Sequence, residues 1–224
     1  MGTETNNHAI SMLNRFFIQN GFSENSFLSQ SNIDEFISTN VDGYRDYPVF
    51  MYFFNGKYDE KTLTSMLKID FKARINKILG ISTDNYKSLI MVEPPLTEKT
   101  GMLSYIKAID ISSLPLLFNT ATFRQDSFEK YAINKRKMYM DEKTWYIYIF
   151  VTRKEFQRKG YGTKLMQTLI DFADKYGYRL CLETNLNANV PMYENFGFSL
   201  MDSSLYKNEL EHYVMLYTPP TYTA

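Results

Sequence analysis

The apolar positions of the second half of the chain switch between two periods. Residues 145–152, "WYIYIFVT", form a near-continuous run of strand-forming side chains, the pattern of a strand buried on both faces. From residue 161 the period becomes 3.6: Leu165, Leu169, Phe172 and Tyr176 make one stripe, and Met166, Ile170 and Ala173 make its flank. Gly177 follows as a helix stop. "RLCLET" (179–184) reads as a second strand and "NVPMYENFG" (189–197) as a short helix. Two further strands are expected around 198–201 and 212–217. Strand, long helix, strand, short helix, strand, strand implies an α/β chain with a mixed sheet and helices packed on it.

The first half is mostly helical by the same criterion. Ile10, Leu13, Phe16 and Phe17 predict a helix over 8–20, and Ile33, Phe36 and Ile37 begin another. "DYPVFMYFF" is a dense aromatic cluster after a turn, either a helix end or a core plug. Over 59–79, Leu63, Leu67, Phe71 and Ile75 share one face, which predicts an amphipathic helix ended by Gly80. "KSLIMVEPP" reads as a strand stopped by two prolines. Residues 101–118 are helical up to Pro115, and 127–139 give another short helix.

Composition narrows the function classes. At 224 residues the chain suits one domain, and no repeat or linker divides it. Lys plus Arg and Asp plus Glu balance at 25 each, so net charge argues for neither nucleic acid nor an anionic membrane. The lone Cys181 lies in an apolar strand and excludes an internal disulfide framework. His8 and His212 are the only histidines and have no zinc-ligand spacing, so no metal is expected. The N-terminal residues lack a signal-peptide pattern, and the longest apolar runs are half a membrane span. These features read as a cytoplasmic protein, with the oligomeric state left open.

The chemistry concentrates at residues 157–162, "QRKGYG", between the 145–152 strand and the long helix. A helix starting there presents unpaired N–H groups and the positive end of its dipole. Gly160 and Gly162 permit close approach to the main chain, and Arg158 and Lys159 add full charges. The whole is a cradle for a phosphate or pyrophosphate. Neither the G-x-G-x-x-G dinucleotide fingerprint nor the G-x-x-x-x-G-K-[ST] loop is present.

"VTRKEFQRKGYGTKLM" resembles the motif of the GNAT acetyltransferases, a strand followed by [QR]-x-x-G-x-[GA] and a helix. "LETNLNANVPMYENFGF" is similar to the puromycin-acetyltransferase-like branch, with L-E-T, a polar loop and N-V-P-x-Y-E-x-F-G-F, and "DYPVF" is similar to that branch's D-x-P-x-F segment. Two departures stand out: Lys154 replaces the family's usual Pro after the strand, and Thr152 an aliphatic residue.

The resemblance implies a GNAT-like twisted sheet of six or seven strands with a coenzyme A cleft between two splayed parallel strands. It implies a single domain over 1–224, with a helical extension at 1–40 and an acetyl-CoA-binding core at 125–218. Acetyl-CoA is then the co-substrate and a small-molecule primary amine the acceptor, attacked directly in a ternary complex without an acyl-cysteine. The pyrophosphate falls to Gln157, Arg158, Lys159, Gly160, Tyr161, Gly162 and Thr163, and the pantetheine to Phe150, Val151 and Thr152. A bulge or splay near 150–152 is expected to free an N–H for the thioester oxygen. Tyr193 matches the family's general acid. Asn187 and Asn189 are placed to bond the coenzyme's amides, although Asn189 suits a helix cap equally. Glu183 is the candidate general base and Glu93 a second carboxylate of the same cleft, each also suited to a structural part. Two rival readings use the same features: a coenzyme A-binding sensor or partner-binding protein without catalysis, and a nucleotide-binding protein using the same loop.

Overall fold

In a computed structural model that describes residues 2–98 and 100–222, six strands form one mixed sheet in the order β1-β2-β3-β4-β6-β5. The strands are β1 (Leu79–Ser82), β2 (Ser88–Glu93), β3 (Thr144–Thr152), β4 (Arg179–Thr184), β5 (Ser199–Tyr206) and β6 (Leu210–Tyr217). Helices α1 (Gly2–Gln19) and α7 (Tyr161–Tyr176) cover one face. Helices α2 (Ile33–Gly43) and α4 (Glu60–Arg74) cover the other, beside α3 (Pro48–Phe53) and α6 (Thr120–Arg136). Two short helices, α5 (Met102–Ala108) and α8 (Val190–Asn195), complete the set.

Each face has its own core. Leu165, Leu169 and Phe172 of α7 meet Trp145 of β3 and Leu13, Phe16 and Phe17 of α1. The Trp145 and Phe172 rings meet edge-on at 5.6 Å. On the opposite face, Leu63, Leu67 and Phe71 of α4 and Phe36 and Ile37 of α2 cover Leu89, Met91, Ile149 and Val151.

Several element boundaries differ from the sequence expectations. Helix α4 stops at Arg74 rather than continuing to 79; residues 75–77 form a turn, and the edge strand β1 begins at Leu79. Ile75 and Leu79 mimic the helical stripe, but Arg74 is held by Asp70 and Glu93, and all four β1 residues are buried. The predicted helix over 101–118 breaks after Ala108. Asp110 accepts from the Ser113 N–H and starts a 3-10 stretch at 111–118. Helix α6 begins seven residues earlier than expected because Asn119 caps it, accepting from the Ala121 N–H.

The site is set by how β3 and β4 part. They are parallel and pair from Thr144–Arg179 to Ile147–Leu182, where the pairing ends. At that point β3 carries a bulge: Val92 of β2 faces Ile147 and Met91 faces Ile149, leaving Tyr148 as the extra residue. A bulge bends its strand and sharpens the local twist. Residues 149–152 of β3 therefore stay paired with β2 but lose β4. The break lies earlier than the expected 150–152, and the gap extends through those residues.

Glu183 points to the α6 face, away from this gap. Its carboxylate meets the Arg136 guanidinium at 3.0 Å, accepts from the Tyr146 hydroxyl at 2.7 Å and lies 3.2 Å from His212 Nε2. Burial alone would raise its pKa, yet Arg136, then His212 and Tyr146, hold it below the usual carboxylate range. A depressed folded pKa contributes stability above the unfolded value of about 4.3, lost as pH falls through the lower folded value. Arg136→Leu is therefore expected to cost about 3 kcal/mol at neutral pH by leaving the carboxylate uncompensated. The double variant Arg136→Leu with Glu183→Gln should recover part of that loss, and both should show a flatter acid limb than the parent. Urea unfolding between pH 3 and 7 measures this; an unchanged Arg136→Leu midpoint refutes it.

Candidate active site

Where β3 and β4 part, a cleft of ≈ 790 Å³ opens, lined from three directions. One wall is the free end of β3, Phe150, Val151 and Thr152, with Gln157, Arg158, Gly160, Tyr161, Gly162 and Thr163 beyond it. The second is Asn189, Met192, Tyr193 and Phe196 from the β4–α8 segment. The third is the link between α2 and α3, with Gly43, Tyr44, Arg45, Asp46, Tyr47 and Pro48.

The phosphate end is made by the start of α7. Gly160 precedes the helix at φ 81°, a left-handed value that side chains resist, and no side chain caps the helix. A Cβ on Gly162 would approach Phe150 Cζ to 3.0 Å and Thr152 Oγ1 to 3.2 Å, so the first turn lies directly on the β3 end. Gln157 Nε2 donates to Thr152 O at 3.2 Å, which ties the loop back to the strand. Arg158 reaches the cleft. Lys159 does not line it and lies over the Phe156 ring. Lys87, which the sequence gave no reason to single out, stands 3.3 Å from the Tyr161 hydroxyl. Uncapped N–H groups beside Arg158, in a loop pressed on β3, fit a pyrophosphate.

At the other end Tyr193 is buried, its ring 6.4 Å from Phe150 and 6.0 Å from Phe198. Burial first, then the neighbouring Tyr47 and Tyr44, push its pKa well above the ordinary tyrosine value. It keeps its proton at neutral pH and can donate it. Asn189 does not cap α8; its Nδ2 donates to Thr184 Oγ1 at 3.1 Å. The same Thr184 hydroxyl bonds the Tyr47 hydroxyl at 2.8 Å, and Tyr47 accepts from the Asn185 N–H at 3.0 Å. Asn187 is exposed and outside the lining.

The cleft thus gathers every sequence-predicted residue except Lys159, Asn187, Glu183 and Glu93. Tyr44 and Tyr47 were missed, because "DYPVFMYFF" carries no motif that separates a core tyrosine from a cleft tyrosine. Cys181 is buried away from the cleft, and burial, then Glu183, pushes its thiol pKa up, the reverse of nucleophile activation. Among the described residues, no group of three His, Cys, Asp or Glu could hold a metal.

A second cavity of ≈ 400 Å³ lies on the α4–α6 face, and Glu93 belongs there rather than to the cleft. Its ionic groups answer one another. Arg74 pairs with Asp70 and Glu93, Arg136 with Glu129 and Glu183, and the Tyr105 and Tyr148 hydroxyls donate to Asp70. The arrangement is a structural brace between sheet and helices.

The acetyltransferase (GNAT) family matches residues 120–198, which span α6, the splayed strands, the loop, α7 and α8. An uncharacterized N-acetyltransferase of Schizosaccharomyces pombe is 25% identical over 178 residues, 74% of this chain and 70% of that protein. A Corynebacterium glutamicum structure described as histone acetyltransferase HPA2 and related acetyltransferase superposes with a TM-score of 0.57 at 14% identity, covering 89% of this chain and 98% of that one. Arylalkylamine N-acetyltransferase 2 of Aedes aegypti gives 0.54 at 15%, covering 86% and 97%. These structures share the fold, and nothing finer separates the puromycin-acetyltransferase-like branch from the others. Over residues 120–198, with its splayed strands and uncapped glycine-led helix, the chain is similar to the acetyltransferase (GNAT) family.

Proposed function

We propose that the chain transfers the acetyl group of acetyl-CoA to a primary amine of a small molecule, by direct attack in a ternary complex. The observation that supports this most is one cleft uniting an uncapped α7 N-terminus, the free main chain of Phe150–Thr152 and the protonated Tyr193.

The chain's residues divide the work. The first turn of α7, with Arg158, takes the pyrophosphate. Beyond the bulge, β3 offers its open edge to the pantetheine amides in the manner of an added strand. The acetyl thioester supplies an activated carbonyl, and the Phe150 N–H polarises it. The amine nitrogen attacks the carbonyl carbon; the C–N bond forms, the C–S bond breaks, and the sulfur leaves as thiolate. Tyr193 donates its proton to that thiolate, and the ammonium proton of the amine leaves to solvent. Glu183 takes no part, because its carboxylate points away from the cleft to Arg136 and Tyr146. The aromatic walls of Tyr44, Tyr47, Phe150 and Phe196 suit a compact acceptor with an apolar body.

Thiol release from acetyl-CoA across a panel of small amines tests the activity. Coenzyme binding without turnover on any amine would point instead to a sensor. Tyr193→Phe removes one hydroxyl, so coenzyme affinity should hold while turnover falls about 10²-fold, the scale for losing a positioned acid. Unchanged turnover where chemistry limits the rate would remove Tyr193 from the mechanism.

Gly162→Val crowds Phe150 and Thr152 at the cradle, and should weaken coenzyme binding about 30-fold by displacing backbone donors from charged oxygens. Calorimetric titration reads this, with circular dichroism confirming the fold. Parental affinity in a folded variant would contradict the assignment of the cradle.

A further inference from the structure

The link that forms the third wall of the cleft, residues 43–48, is fastened at both ends. At the β4 end the Tyr47 hydroxyl bonds Thr184 Oγ1 at 2.8 Å and accepts from the Asn185 N–H at 3.0 Å. At the β3 end Gly43 lies against the strand, where a Cβ would collide with Val151 Cγ2 and Thr152 O. Just beyond β3, residues 153 and 154 reach back to the same link and to α2. Arg153 Nε donates to Thr39 Oγ1 at 3.1 Å, and its guanidinium stands 3.6 Å from Glu35. The Lys154 N–H donates to Asp42 Oδ2 at 2.7 Å, and Lys154 Nζ to Asp46 Oδ2 at 2.8 Å. Glu35, Thr39 and Asp42 share one face of α2, so the helix is stitched to the end of β3 along that face.

Where the family resemblance calls for proline the chain has Lys154, and the backbone there is one that proline would accept. Arg153 is extended at φ −52° and ψ 141°, as a residue before proline must be, and Lys154 opens a 3-10 turn. What proline would lack is the N–H that Asp42 receives. Asp42 stands in the last turn of α2, where the helix dipole disfavours a carboxylate, so its use is not to the helix. A carboxylate on a main-chain donor is the stronger kind of hydrogen bond. The Lys154–Asp46 pair is exposed on both sides and adds little by itself.

Resting on the acetyl-transfer reading above, we propose that Lys154 is a positioning residue for the acceptor. Through Asp42 it holds the 43–48 link, and with it Tyr44 and Tyr47, at the acceptor end of the cleft. The coenzyme side does not need this hold. Gln157 ties the loop to Thr152 O, and the α7 core fixes the helix start, both independently of Asp42. Loss of the bond loosens the wall that meets the amine and spares the wall that meets the coenzyme.

Lys154→Pro deletes the N–H and the ammonium on a compatible backbone, whereas Lys154→Met deletes the ammonium alone. Steady-state thiol release is measured with 2-phenylethylamine, whose compact apolar body suits the aromatic walls, or with whichever panel amine turns over fastest. In Lys154→Pro the KM for the amine should rise about fivefold, with kcat and the KM for acetyl-CoA unchanged. Lys154→Met should change the amine KM by less than about twofold. Asp42→Ala should reproduce the proline variant, and combining the two should add nothing, as for two ends of one bond. A merely structural role would move both KM values or lower kcat; that result, additive single effects, or an unchanged amine KM overturns the proposal. A parent that releases no thiol with any amine removes the transfer reading, and the role of Lys154 with it. A parent that turns over while its amine KM ignores Asp42 and Lys154 removes this proposal alone.

Discussion

The end of pairing between β3 and β4, at Ile147 and Leu182, is the constraint on which the site depends. A parallel pair inside a sheet normally satisfies its main chain to the last residue. Here the Tyr148 bulge turns β3 away while β2 keeps hold of it, so a strand end with unshared donors and acceptors sits inside the protein. Such an edge is costly when empty and adhesive when matched. The chain covers it partly with its own groups, Gln157 on Thr152 and Tyr47 on the Asn185 N–H, and leaves an open cleft beside it.

The helix that follows makes use of the same divergence. α7 must start close to the free end of β3, which requires a left-handed turn at Gly160 and a residue without Cβ at Gly162. Its apolar stripe against Trp145 and Leu180 fixes where that start lies. The start of α7 and the strand edge are therefore positioned together by the hydrophobic core, with Gln157 on Thr152 O joining them.

Much of this was legible in the sequence from about residue 145 onward. Periods of 2 and 3.6 alternate cleanly there, and the loop between β3 and α7 carries glycines whose backbone purpose is specific. Tyr193 was readable only through its motif, because eighteen tyrosines share its chemistry. Strand β1 was hidden, since Ile75 and Leu79 continue the α4 stripe and four residues are too few to show a period. The tyrosines of the α2–α3 link were invisible for another reason. Their part depends on which main-chain group lies opposite, and that is decided by the register of strands a hundred residues further on.

Glu183 shows how much one position of parity decides. It sits one residue from Leu182, which faces the α7 core, and one from Thr184, whose hydroxyl belongs to the cleft network. Alternation along β4 sends its carboxylate to Arg136 on the opposite face, where a buried charge has a partner. A carboxylate in the cleft itself would have stood among Tyr44, Tyr47, Phe150 and Tyr193 with no cation committed to it. At that end of the cleft the buried titratable groups are phenols, which is why the proposed reaction takes its acid from Tyr193. In the proposed reaction the proton of the attacking ammonium is left to the water at the cleft's open side.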